Sequence, residues 1–145
     1  MNSKKNIINE LLVEVFNHIL SIEAEALRKR GVKLSMNEIH VLEAVKKTSE
    51  PTMTNISNRL RITVGTLTTS VNRLVQKGYL DRHRELEDKR KVMVSLTKSA
   101  VEILKIHDQF HKEMLDAMFK DMNLEEDELF LQSLEKLSEY FKRKY

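Results

Sequence analysis

Apolar residues recur along most of this chain at helical spacing, and the pattern changes to alternation only once. Ile8, Leu12, Val15, Ile19 and Ile22 form one stripe, and Ile7, Leu11, Phe16, Leu20 and Leu27 form a second. Residues 4–30 therefore predict one helix, apolar on more than one side and ended by Gly31. Ser35 followed by Glu38 is a capping box, opening a second helix with Ile39, Leu42 and Val45 inward. Thr52, after Pro51, caps a short third helix with Ile56 and Leu60 inward. A tight Arg61-Ile62-Thr63 turn leads into a fourth helix, capped by Thr63, over residues 64–77, with Gly78 as its stop. The period then shortens to two. Tyr79–Arg84 and Val92–Leu96 read as strands of a hairpin spanning 79–96, joined by the charged loop Glu85 to Lys91. Thr97 caps a long fifth helix carrying Val101, Leu104, Phe110, Met114 and Met118 inward. Asn123 with Glu126 reads as another capping box, opening a last helix with Leu124, Leu131, Leu134, Leu137 and Phe141.

Composition narrows the chemistry. The 145 residues fit a single domain, here a mainly α fold with one small β-hairpin. With Gly31, Gly65 and Gly78 as the only glycines, no Gly-rich phosphate loop can be written. The absence of cysteine excludes disulfides, thiolate metal ligands and cysteine nucleophiles. No apolar run approaches a membrane span and the N-terminus is not a secretory signal, so a cytoplasmic protein without a membrane partner is expected. The net charge of +3 is unevenly spread. Between Arg59 and Lys91 nine Lys/Arg face four carboxylates, while the rest of the chain is slightly acidic. Such a basic middle suits a polyanion.

The basic segment also has helix–turn–helix proportions from Thr52 to Arg73. On a wheel the fourth helix gathers Val64, Leu67, Val71, Leu74 and Val75 on one arc. Gly65, Thr66, Thr69, Arg73 and Gln76 occupy the opposite arc, flanked by Ser70 and Asn72. Ordinary surface helices favour Glu and Lys; small hydroxyls with an arginine suit a helix seated in the DNA major groove. Thr63, Gly65, Thr66, Thr69, Ser70, Asn72 and Arg73 are therefore the candidate contacts of this helix. Gly65 would let the helix N-terminus approach the DNA backbone. Lys89, Arg90 and Lys91 lie at the hairpin tip, with Asp88 placed to orient Arg90. A guanidinium there suits a narrow A·T-rich minor groove, while Glu85 and Glu87 should point away from phosphate.

The run Asp88-Lys89-Arg90-Lys91-Val92-Met93-Val94-Ser95-Leu96-Thr97 resembles the D-x-R-x(5)-L-T wing signature of MarR-type winged helix–turn–helix regulators. The preceding Gly78-Tyr79-Leu80-Asp81-Arg82 resembles the end of their recognition helix, and the likeness extends over essentially the whole chain. It implies an intertwined homodimer, with residues 4–30 and 98–145 as dimerisation helices around a DNA-binding lobe at 35–97. Double-stranded DNA with an A/T-rich palindromic operator is the implied partner. Thr63 to Asn72, and Phe110-His111-Lys112-Glu113-Met114, are most similar to a subgroup that represses fatty-acid synthesis genes. That subgroup implies a long-chain acyl group on acyl carrier protein as co-repressor. Two departures are Arg61, where many members carry a small turn residue, and Arg73.

Two further groups remain open. Phe16, Ile19, Leu20, Phe110 and Met114, with His40, His107 and His111 at a polar end, are candidates to line an effector cavity; the alternative is that the dimer uses these faces entirely. The same three histidines, completed by Glu23 or Glu25, could hold zinc, as in zinc-responsive members of the family, although histidines four apart on a helix also serve as packing residues. His107 and Asp108 point about 100° apart and no nucleophile is placed near them, so no enzyme is expected. A helical protein–protein adaptor is the alternative of another class. The threonine face and the cationic hairpin count against it.

Overall fold

The computed structural model describes residues 2–145. The elements are α1 (Ser3–Glu10), a π-helical turn (Leu11–Val15), α2 (Phe16–Lys29), α3 (Met36–Lys47), α4 (Met53–Leu60), α5 (Val64–Gln76), β1 (Leu80–Arg84), β2 (Val92–Leu96), α6 (Lys98–Met122), a 3-10 turn (Leu124–Glu126) and α7 (Glu128–Lys144). They form two compact units, residues 1–107 and 108–145, with the boundary inside α6.

The predicted helix over 4–30 is therefore interrupted. Its Leu11–Val15 stretch takes the wider π turn, which rotates the apolar positions after it relative to those before it. Asn2 caps α1 by accepting from the Lys5 N–H. Gly31, at φ 87°, supplies the left-handed residue beyond the end of α2.

In the first unit α3, α4 and α5 pack on one another and on the hairpin. The core side chains are Ile39 and Leu42 from α3, Ile56 from α4, Leu67, Val71 and Leu74 from α5, and Leu80 and Val94 from the hairpin, all essentially inaccessible. Burying each leucine or isoleucine contributes roughly 1.5–3 kcal/mol. The Ser35–Glu38 capping box forms as expected, and Thr52 and Thr63 accept from the N–H groups of Asn55 and Thr66. Glu38 has a second role, since Lys77 Nζ lies 2.7 Å from its carboxylate and ties the end of α5 to the start of α3.

The hairpin pairs Leu80 with Leu96 through Arg84 with Val92. It is fastened at both ends. The Val94 N–H donates to the Pro51 carbonyl, extending the sheet to the segment before α4. Thr97 makes four bonds: its hydroxyl donates to the Gly78 carbonyl at 2.7 Å, its N–H donates to the Tyr79 carbonyl, Oγ1 accepts from the Ala100 N–H as the cap of α6, and its carbonyl accepts from the Val101 N–H. Gly78 itself sits at φ 82°, where a side chain would be strained.

In the second unit the expected capping box at Asn123 does not form. Asn123 is left-handed, at φ 53°, and bears no side-chain cap; it ends α6 in the manner of a C-terminal cap residue. A 3-10 turn follows, and Asp127 caps α7 by accepting from the Phe130 N–H. Competition between a helix stop and a helix start at one asparagine was decided for the stop. Along α7 the rings of Tyr140, Phe141 and Tyr145 contact one another in sequence. Among the described residues no helix is long and apolar enough to cross a membrane.

Thr97→Ala removes the cap of α6 and one of the fastenings of the hairpin. It is expected to lower stability by about 1 kcal/mol in urea unfolding, whereas Thr97→Ser retains most of it.

Candidate nucleic-acid interface

The buried Leu67, Val71 and Leu74 face α5 inward and leave Gly65, Thr66, Thr69, Asn72, Arg73 and Gln76 exposed, with Ser70 half-buried. Val64 departs from its expected place on the inward arc. It is the first residue of the helix, is 45% exposed, and lines a concavity shared with the hairpin. The core at that end has already been filled by Ile56 and Leu67.

The hydroxyls of α5 are not equivalent. The Thr63 hydroxyl caps the helix and donates to Thr66 Oγ1 at 2.9 Å, so Thr66 keeps its own proton for an outside acceptor. Thr68 and Thr69 donate back to the carbonyls of Val64 and Gly65, at 2.7 and 3.4 Å. Thr69 thus presents lone pairs and a methyl group outward. Gly65 has no positive φ, and an added Cβ would meet nothing closer than Thr63 Oγ1 at 3.9 Å. The chain's own packing does not require glycine there.

Arg61 adopts φ 55° and ψ 42° in the turn between α4 and α5. The turn demands a left-handed residue, and the strain expected of a non-glycine at this position is present. Its exposed side chain adds a cation beside the N-terminus of α5.

The charged loop is built around Asp88. Its carboxylate accepts from the backbone N–H of Arg90 at 3.1 Å and from the guanidinium at 3.2 Å. These two bonds hold its pKa below the ordinary carboxylate value. Arg90 is thereby oriented yet almost wholly exposed. Arg84, on β1, donates to the carbonyl of the exposed Lys89 at 2.8 Å and closes the loop. Lys91 differs from its expected place at the tip. It starts the return to β2 and lies 3.0 Å from Glu50 and 4.0 Å from Glu85, whose charges, led by the Glu50 hydrogen bond, raise its pKa. Glu85 is drawn to Lys91, consistent with its expected avoidance of phosphate, so of the three cations only Lys89 and Arg90 project from the loop. Arg82 and Arg84 were not among the residues expected from the sequence. Both share a strand face with Leu80, a placement that period-two spacing could have revealed.

The histidine set takes a different form from a three-histidine site. His107 is buried; its Nε2 is hydrogen-bonded to Glu23 Oε1 at 2.5 Å, and Glu43 Oε1 lies 3.3 Å from Nδ1. His40 is half-buried on α3 and contributes no atom to this group, while Glu25 is exposed and pairs with Lys29. Two donors bound about 2.0–2.1 Å from a tetrahedral zinc would lie about 3.3 Å apart. The His107–Glu23 contact as placed is therefore a hydrogen bond in geometry. The expected effector residues divide between the two units, with Phe16, Ile19, Leu20, His40 and His107 in the first and Phe110, His111 and Met114 in the second. Phe16 and Ile19 are exposed, and Phe110 is buried with its ring edge-on to His111.

Two outcomes are expected of this surface. Gly65→Ala should stabilise the fold by up to about 1 kcal/mol in thermal unfolding while weakening binding to a duplex selected from a random pool. Because the Asp88 carboxyl titrates below its ordinary value, its hold on Arg90 is complete above that value and is lost only as pH falls through the lowered one. Protection of the Arg90 amide relative to its free-chain exchange rate should accordingly stay constant near neutrality and fall only in acid, and Asp88→Asn should lower it at neutral pH.

Residues 26–106 match the family described as transcriptional regulator SarA/Rot. The chain is 30% identical over 95 residues to the HTH-type transcriptional regulator SarZ of Staphylococcus haemolyticus, covering 66% of this chain and 62% of that protein's length. Over 97% of this chain and 99% of the other, the structure is similar to Streptococcus pneumoniae FabT in complex with DNA, with 33% identity and a TM-score of 0.86. A mutant form of Escherichia coli MarR complexed with operator DNA shares the fold at 23% identity and a TM-score of 0.72, over 94% of this chain and 99% of the other. These relatives are regulators rather than enzymes, and the chain belongs to the SarA/Rot family of transcriptional regulators, with the winged-helix fold of the MarR type.

Proposed function

We propose that this protein is a homodimeric, sequence-specific DNA-binding repressor whose α5 enters the major groove and whose hairpin loop reaches the flanking minor groove. The observation that carries the reading is the outward face of α5, with its threonines, Asn72 and Arg73, held beside a loop that presents Arg90. Similarity to FabT in complex with DNA supports the same placement. In this reading Thr66, Thr69, Ser70, Asn72 and Arg73 meet base edges, and Thr63, Gly65 and Arg61 lie at the phosphates. Lys89 and Arg90 serve the A·T-rich flank, whose narrow groove concentrates negative potential. Lys91 acts chiefly by securing the loop to Glu50.

Dimerisation is supported by the apolar residues that the single chain leaves exposed. Ile7, Ile8, Leu11, Leu12, Val13, Val15 and Phe16 follow one another along α1, the π turn and the start of α2, and Leu129, Leu134, Tyr140 and Phe141 are exposed on α7. Exposed apolar surface on this scale marks association.

The fatty-acid reading rests on the resemblance of Thr63 to Asn72 to the FabT subgroup. The regulated genes are those of fatty-acid synthesis, and a long-chain acyl group on acyl carrier protein is the co-repressor. By binding the DNA-competent dimer more tightly than other states, the acyl group would shift the population toward it. Phe16, Ile19, Leu20, Phe110 and Met114, with His40, His107 and His111, are the residues assigned to it.

Titration of a selected palindromic duplex at several salt concentrations tests the DNA reading. A dimer should bind, with the log–log slope steepening by about 0.9 per neutralised phosphate. Thr69→Ala and Arg73→Ala should change base preference by roughly 1–3 kcal/mol for each base-reading bond removed, and Arg90→Ala should act mainly at A·T flanks. A flat salt response, or binding as a monomer, would refute the reading. Addition of long-chain acyl-acyl carrier protein should tighten binding. If zinc shifts affinity and the acyl protein does not, a metal-sensing regulator replaces the lipid reading.

A further inference from the structure

Arg82 of β1 donates from Nη1 to Oδ1 of Asn72 on α5 at 2.5 Å. Both residues are exposed, and they join the hairpin to the outward face of the helix. We infer that Arg82 is a specificity-determining positioning residue, which holds the Asn72 carboxamide in one orientation for reading adenine in the major groove. The inference deepens the reading above and rests on it.

Donor and acceptor identity fix how the pair is arranged. A guanidinium has five donors and no acceptor. Whatever amide orientation is considered, the atom facing Arg82 must be the carboxamide oxygen, so the NH₂ must face elsewhere. A free asparagine reads adenine by two bonds, accepting from N6 and donating to N7. Arg82 occupies one of the two lone pairs of Oδ1, so the oxygen can still accept from a base while the amide is kept from flipping. Asn72 is thus preset for the two-point contact with adenine, and the flipped amide is disfavoured.

Location strengthens the effect on binding. Arg82, Val64 and Thr68 line the same concavity between α4, α5 and the hairpin. In water the pair is readily exchanged for hydration. When DNA covers the concavity and excludes solvent, the charge-assisted bond strengthens. Arg84, two residues on along the same strand face, holds the hairpin loop through the Lys89 carbonyl. One strand therefore sets both the loop and one base-reading side chain.

The experiment compares wild type with Arg82→Ala, Asn72→Ala, the double variant and Asn72→Asp. Each is folded as judged by circular dichroism and thermal unfolding, and each is profiled on duplexes selected from a random pool with single-base competitors. Arg82→Ala should reduce the preference for adenine at one base step per half-site, by about fivefold or more, as the freed carboxamide flips and rotates. Asn72→Ala should remove discrimination at that same step, and the double variant should match Asn72→Ala because the two residues act as one unit. Asn72→Asp keeps the partner of Arg82 but lacks the donor to adenine N7, and should lose the preference for adenine. The inference is overturned if Arg82→Ala weakens all duplexes equally and lowers the salt slope by about one phosphate, or if the two alanine effects simply add. It also fails if Asn72→Ala leaves every base step unchanged while Thr69→Ala and Arg73→Ala still alter preference, in which case the DNA reading stands without it. Absence of selected duplexes for wild type would remove the DNA reading itself.

Discussion

Burial of Leu67, Val71 and Leu74 is the constraint on which the candidate interface depends. These three side chains lie one turn apart along α5 and are inaccessible against the packed α3, α4 and β1. A helix anchored along one stripe cannot roll without exposing that stripe, and exposing even one leucine forfeits roughly 1.5–3 kcal/mol. The opposite face is therefore presented in a single orientation. Gly65, Thr66, Thr69 and Arg73 do little to hold the helix in place. Their side chains are available for a partner because the energy of positioning comes from elsewhere.

The hairpin joins the core through Leu80 and Val94 and is fastened by a small number of polar bonds. Thr97 bonds to Gly78 and Tyr79, Val94 bonds to Pro51, and Arg82 bonds to Asn72. Thr97 links three elements, since the residue that follows β2 also caps α6 and returns to the stop of α5. A Leu-Thr pair closes the wing segment for a physical reason: Leu96 is the strand partner of Leu80, and Thr97 supplies both the cap and the tie. The loop beyond is exposed and self-organised by Asp88, which allows Arg90 to be oriented without being buried.

His107 illustrates how the same residues support different chemistry according to their neighbours. On the sequence it forms a set with His40 and His111. In the fold its nitrogens face Glu23 and Glu43. Carboxylates from two helices converge on one imidazole, so a buried polar group finds its partners in the core of the first unit. Spacing along α6 could place His107 and His111 on one helix face, and Glu23 was already a candidate companion, but the approach of Glu43 from α3 was not legible.

Periodicity and local capping chemistry were enough to determine the helices, the hairpin, the helix–turn–helix and the outward residues of α5. These features depend on contacts within a few residues: Ser35 with Glu38, Thr63 with Thr66, and alternation across Leu80, Arg82 and Arg84. Arg61 was legible only as a departure from the small turn residue of the resembled family; its left-handed backbone was decided by the fold. Tertiary structure decided what competing local signals left open. Asn123 became a helix stop rather than a start, the first helix took a π turn, and Val64 remained at the surface once the core was filled. It also decided every long-range pairing: Lys91 with Glu50, Lys77 with Glu38, His107 with Glu23, and Arg82 with Asn72. A charged side chain chooses its partner by distance in space, and that distance is set only when the apolar core brings separate elements together.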